Sequence, residues 1–192
     1  MPDQDKGKGQ NKLKKLPARL HHNAYTTEDH EATRHFYEDI LGIPLVAMYI
    51  EREFLEGQWV ELGHAFYGLG DGGALAFFNF ADPAKQDEWR AKQQSIFVHL
   101  SLLVDEETQN DLRARIKAAG CVFYEIEHGY CTSIYTVDPN GLRLEFTVDP
   151  PDVSEINDQM RRNAHEDLRR WVAGNRESNN IWRKPPPEAA AE

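Results

Sequence analysis

The sequence predicts an α+β fold: two tandem βαβββ modules sharing their sheets around one concavity, a half-open barrel, followed by a C-terminal helix. Three observations carry this. A strand-like run around His22 and another around His99, 77 positions apart, each lead through acidic residues into an amphipathic stretch. A glycine, Gly42 or Gly120, stops each stretch. Three more strand-like segments then follow in each half. Such repeated units bury together what neither buries alone, and 192 residues suffice for the shared core.

Residues 1–17 carry Lys6, Lys8, Lys12, Lys14 and Lys15 among polar neighbours and read as a disordered basic arm. The first module spans 18–82. Its strand at 20–26 precedes a helix that Glu28 or Asp29 caps and that runs to about 41, with Phe36, Tyr37, Ile40 and Leu41 on one face. Strands follow at 44–53, 59–69 and 74–80. Residues 83–95 form a polar connection. The second module spans 96–150, with a strand at 98–104, a helix capped by Asp105 that aligns Leu112, Ile116 and Ala119, and strands at 121–126, 133–137 and 142–148. Ile156, Met160, Ala164, Leu168 and Trp171 form a narrow apolar stripe in the helix expected over 151–174, which closes the core or packs on a second subunit. The tail, 175–192, ends in a proline run that no helix accommodates, with Trp182 as an anchor.

A formal charge of −10 argues against a nucleic-acid surface, and no apolar run has the length of a membrane span. Cys121 and Cys131 fit neither a disulfide framework nor a CxxC pair, and no apolar leader opens the sequence, so a cytoplasmic location is expected. Residues 68–73 spell GxGxxG, but strands flank them on both sides, which makes a glycine-rich β-turn rather than a phosphate cradle.

Residues 126–145 hold the densest chemistry. Two strands joined by the Asp138-Pro139-Asn140-Gly141 turn direct His128, Tyr135 and Glu145 toward one interior. Laying the last strands of the modules on each other sets Glu145 on Ala76, just as His99 falls on His22. Three of the four symmetry-related slots then hold metal ligands, His22, His99 and Glu145, the composition of the facial triad of non-heme Fe(II) enzymes. His21 is expected on the opposite sheet face by strand alternation. His64 lies on a strand that lines the cavity, and Phe78 and Phe123 are candidates for an aromatic-accepting wall or for core.

On these residues the chain resembles the vicinal oxygen chelate superfamily of glyoxalases, fosfomycin-resistance enzymes, bleomycin-binding proteins and extradiol dioxygenases. The resemblance covers about 20–150, through His22-Asn23-Ala24-Tyr25, the 36–42 segment from Phe36 to Gly42, and Phe97-Val98-His99. Within it, Ile126-x-His128, five residues, Ile134-Tyr135, two residues, Asp138-Pro139-x-Gly141, three residues and Glu145 is similar to the extradiol dioxygenase signature. The resemblance implies a mononuclear Fe(II), with Mn(II) or Zn(II) as other divalent occupants, held by His22, His99 and Glu145. It implies a catechol-like or other vicinal-dioxygen substrate, dioxygen as co-substrate, His128 and Tyr135 as catalytic groups, His64, Phe78 and Phe123 at the substrate, and a homodimer or higher homo-oligomer. A glyoxalase-like lyase or isomerase, a thiol transferase and a metal-free binding protein are the alternatives; Ala76, where isomerases present a fourth carboxylate, counts against the first. One departure stands out: ring-cleaving members carry an acid/base histidine where this chain has Gly73.

Overall fold

The computed structural model describes residues 17–90, 97–175 and 177–183. The expected basic arm, apart from Pro17, the end of the connection and the proline run lie outside them. Strands β1 (His22–Thr26), β2 (Leu45–Leu55), β3 (Gln58–Gly68) and β4 (Ala74–Phe80) form one sheet in the order β1-β4-β3-β2. Strands β5 (Leu100–Leu103), β6 (Phe123–Glu127), β7 (Thr132–Val137) and β8 (Arg143–Val148) form a second in the matching order β5-β8-β7-β6. In each, the first strand runs parallel to the last, the connection a helical crossover permits. Ala24 pairs with Ala76 and Ser101 with Glu145, so strand register reproduces the sequence overlay of the two halves.

Helix α1 (His30–Arg34) starts at Asp29, whose Oδ1 accepts from Glu31 N at 2.7 Å and Ala32 N at 3.1 Å. It widens into a π-helical segment, His35–Ile40, that turns both Phe36 and Tyr37 into the core. Gly42, at φ +76°, ends it in a conformation side chains disfavour. The connection is not merely polar. It contains α2 (Pro83–Trp89), capped by Asp82 with Pro83 in the first turn, and buried Gln86 ties it to the first sheet. Gln86 Nε2 donates to the Thr27 carbonyl at 2.9 Å and its Oε1 accepts from Phe80 N at 2.8 Å. Helix α3 (Glu106–Ala118), capped by Asp105, carries acidic residues in its first turn and basic ones in its last, complementing its dipole.

Phe36, Tyr37, Leu41, Tyr67, Leu75 and Phe77 of the first module and Leu112, Ile116, Ile134, Leu144 and Phe146 of the second belong to one buried cluster. Polar bonds stitch the modules beside it. Tyr37 Oη donates to Asp138 Oδ2 at 3.1 Å, and Asn140 Nδ2 donates to Thr33 Oγ1 at 3.2 Å. The helix-facing sides of both sheets thus meet in one core, while their other faces stay available.

Helix α4 (Val153–Val172) follows. Ile156 is buried but Leu168 is 61% exposed, so among the described residues the start of the expected stripe is covered and Leu168 is not. The side chain of Trp171 lies outside the described set. Beyond α4, the segment 177–183 returns to the β6–β7 turn, where Asn180 Nδ2 donates to the His128 carbonyl at 2.9 Å. Among the described residues no helix is long and apolar enough to cross a membrane.

Candidate metal centre and active site

The second sheet's open face gathers four of the predicted residues. His99 stands immediately before β5, Glu145 on β8, Tyr135 opposite it on β7 and His128 after β6. Tyr135 Oη donates to Glu145 Oε1 at 2.6 Å. With that proton committed, His128 Nε2 faces the same phenol oxygen at 2.8 Å as its donor. On the other side, His99 Nε2 lies 2.9 Å from Glu145 Oε2.

Glu145 is only 6% exposed, and a buried carboxylate demands compensation. Burial pushes its carboxyl up, but the hydroxyls of Ser133, Tyr135 and Ser101 and the His99 imidazole outweigh it and hold the group below its usual range. Burial, then the hydrogen bond to Glu145 and its charge, push the Tyr135 phenol far up, so the proton stays on Tyr135.

Two metal-ligating groups meet here, His99 and Glu145. His99 Nδ1 lies 3.0 Å from the Phe97 carbonyl, the bond through which a backbone oxygen fixes the tautomer of a metal-binding imidazole. Its Nε2 then meets Glu145 Oε2 lone pair to lone pair, an arrangement that a proton or a metal ion between them relieves. The groups open into a cavity of about 690 Å³ walled by Phe97, Tyr124, Ile126 and Tyr130 and closed at one side by Val153 and Asn157 of α4.

His22 is elsewhere. It projects, exposed, from the open face of the first sheet, its ring 6.2 Å from that of His64 and 5.5 Å from that of Phe66. Among the described residues no three His, Cys, Asp or Glu side chains converge as a metal site. The chain thus brings His99, Glu145, Tyr135 and His128 together and leaves His22 apart. His21 is not on the opposite face as alternation suggested: it precedes β1, where alternation does not apply, and its Nδ1 lies 2.8 Å from that of His22.

His64 is 9% exposed, stacks on Phe78 at 3.6 Å between ring centres, and its Nε2 has no hydrogen-bond partner. Both residues accompany His22 rather than the cavity. Phe123, expected at the substrate, packs instead against the shared core with the Lys117 ammonium over its ring. A side chain at Gly73 would meet the Leu20 carbonyl oxygen at 2.9 Å, so contact with the backbone before β1 favours glycine where a histidine was expected. Arg143, Tyr124 and Ser101 were missed. Arg143 lies two residues from Glu145 on one strand, and period-two alternation from that carboxylate reveals it.

The chain's fold recurs among solved structures. Oxidase ChaP-H2 is 20% identical, with a TM-score of 0.51 over 70% of this chain and 96% of that one. A glyoxylase/bleomycin resistance protein/dioxygenase domain from Frankia sp. EAN1pec is 16% identical, with a TM-score of 0.54 over 70% and 100%. The fosfomycin resistance protein FosX from Listeria monocytogenes, solved with Mn(II) and a sulfate ion, is 15% identical, with a TM-score of 0.51 over 72% and 98%. At these identities the likeness concerns the fold. No curated protein sequence matches the chain. The match of residues 19–146 to a family model, carried by two sheets of identical strand order, means that the chain belongs to the Glyoxalase/Bleomycin resistance protein/Dioxygenase superfamily.

Proposed function

We propose that this chain is a mononuclear non-heme iron dioxygenase of the extradiol type, acting on a catechol-like vicinal diol. The observation that carries the proposal is the continuous chain from His128 through Tyr135 and Glu145 to His99, opening into a largely aromatic cavity. His99 and Glu145 supply two ligands, and His22 of a second copy is the third, since His22 stands exposed and, among the described residues, away from the other two. An Fe(II) held by these three would supply charge stabilisation for two ionising substrate oxygens and redox chemistry with dioxygen.

The chain's own groups do the rest. Tyr135, braced by Glu145, presents its phenol oxygen beside His128 and orients a substrate hydroxyl there. His128 Nε2, which donates to that oxygen, would turn the same N–H to a substrate oxygen and hold it by a hydrogen bond. The aromatic walls exclude water and hold a planar ring.

Protein purified without oxygen is expected to carry about one iron per chain, the stoichiometry of a single facial triad. It should consume oxygen and yield a yellow ring-cleavage product from a catechol. His22→Ala should lose most of its iron; full metal retention in that variant would remove His22 from the triad. Zinc or nickel without oxygen uptake would instead support a lyase.

A further inference from the structure

Arg143 lines the same cavity, and the proposed chemistry gives it no role. It lies on β8 two residues before Glu145, so both side chains leave the same sheet face, roughly 7 Å apart along the strand. Nη1 donates to Tyr124 Oη at 2.8 Å, and the guanidinium carbon sits 5.5 Å from the centre of that ring. Tyr124 in turn stacks on Tyr135, 4.7 Å between centres at an interplanar angle of 9°. Arg143 is therefore braced in place, yet no ion pair among the described residues engages it, and its other donors have no protein acceptor there. A ring filling the cavity would strip water from those donors, and a desolvated guanidinium without an anion is costly.

We propose that Arg143 is a specificity residue that binds a carboxylate on the substrate ring, which makes the substrate class aromatic acids bearing a vicinal diol. This rests on the reading of the cavity as a catechol site. The diol end would lie at His99 and Glu145 and the carboxylate end at Arg143, which leaves the same sheet face two residues along β8. The planar fork of an arginine suits a carboxylate through two parallel hydrogen bonds, which a lysine does not reproduce.

The test is calorimetric titration of the iron-loaded, full-length chain, without oxygen, with protocatechuate and with its neutral carboxamide. The wild type should bind the acid roughly ten- to a hundredfold more tightly, the range of a charge-assisted pair. Arg143→Gln should abolish that preference by weakening the acid alone, and Arg143→Lys should restore only part of it. Carboxamide binding unchanged in both variants reports an intact site. Equal wild-type affinities, or a preference that survives in Arg143→Gln, would overturn the assignment while leaving the catechol reading standing. Binding of neither compound would overturn both.

Discussion

Tyr135 shows how one side chain acquires its role from its neighbours. Its hydroxyl donates to a buried carboxylate and accepts from an imidazole, so its proton is held on the Glu145 side. Tyr135→Phe keeps the ring but removes the bridge. It should retain its metal while turnover falls by about 10²-fold or more, the usual contribution of a positioned acid/base group; metal analysis beside oxygen uptake checks both halves. Two histidines away from this chain of bonds influence stability instead. Burial lowers His30, outweighing the opposing effect of the Gly63 backbone, and burial followed by the nearby His22 lowers His64. As pH falls below the ordinary histidine value, the unfolded chain takes up these protons first, so stability is full above about pH 6.5 and is lost progressively on acidification. Thermal melts from about pH 7.5 to 5 should show this decline, and His30→Phe, which cannot titrate, should flatten it. A variant with the wild-type slope would assign the loss to other groups.

Among the elements, the C-terminal strap is the one most exposed to a single substitution. Gly129, at φ +85°, lies so close to the backbone of Trp182 and Arg183 that an added Cβ would come within 2.3 Å of Arg183 N. Gly129→Ala should therefore lift segment 177–183 from the β6–β7 turn and free the His128 carbonyl from Asn180. Faster proteolysis near Trp182 would register this, and an unchanged digestion pattern would mean the strap docks by other contacts. The sequence marked Trp182 as an anchor, but where the strap docks was hidden because residues some fifty positions apart meet there without a shared period. Helix α2 was hidden for another reason: seven residues give too short an amphipathic pattern, although Asp82-Pro83 is a legible helix start. Strand phase was partly legible. Tyr124 pairs with Tyr135 across β6 and β7 and Phe123 with Thr136, so alternation puts Tyr124, not Phe123, on the cavity face. The repeat was legible in full detail: the overlay of Glu145 on Ala76 reappears as the pairing of Ser101 with Glu145 and of Ala24 with Ala76.

For the whole molecule, the separation of His22 from Glu145 within one chain bears on the proposed third ligand. The sequence named both as ligands but contained nothing about whether one chain unites them, because that depends on how two sheets are oriented about a core. If sites close between copies, His22→Ala and Glu145→Ala, each inactive alone, should complement when mixed. Half of randomly exchanged dimers are mixed and each has one complete site of two, so about a quarter of the sites should recover. Activity that stays absent after verified subunit exchange would place the third ligand elsewhere. Exposed Leu168 on α4 and His22 on the open sheet leave surface for such a partner. The buried cluster that joins Tyr37 and Phe77 to Ile116 and Phe146 has a further consequence. Neither βαβββ half owns its interior, so heat should melt the two together in a single transition, and a half transplanted alone would arrive with its apolar underside bare. The repeat is an inheritance visible in the strands, whereas the unit that folds is the pair.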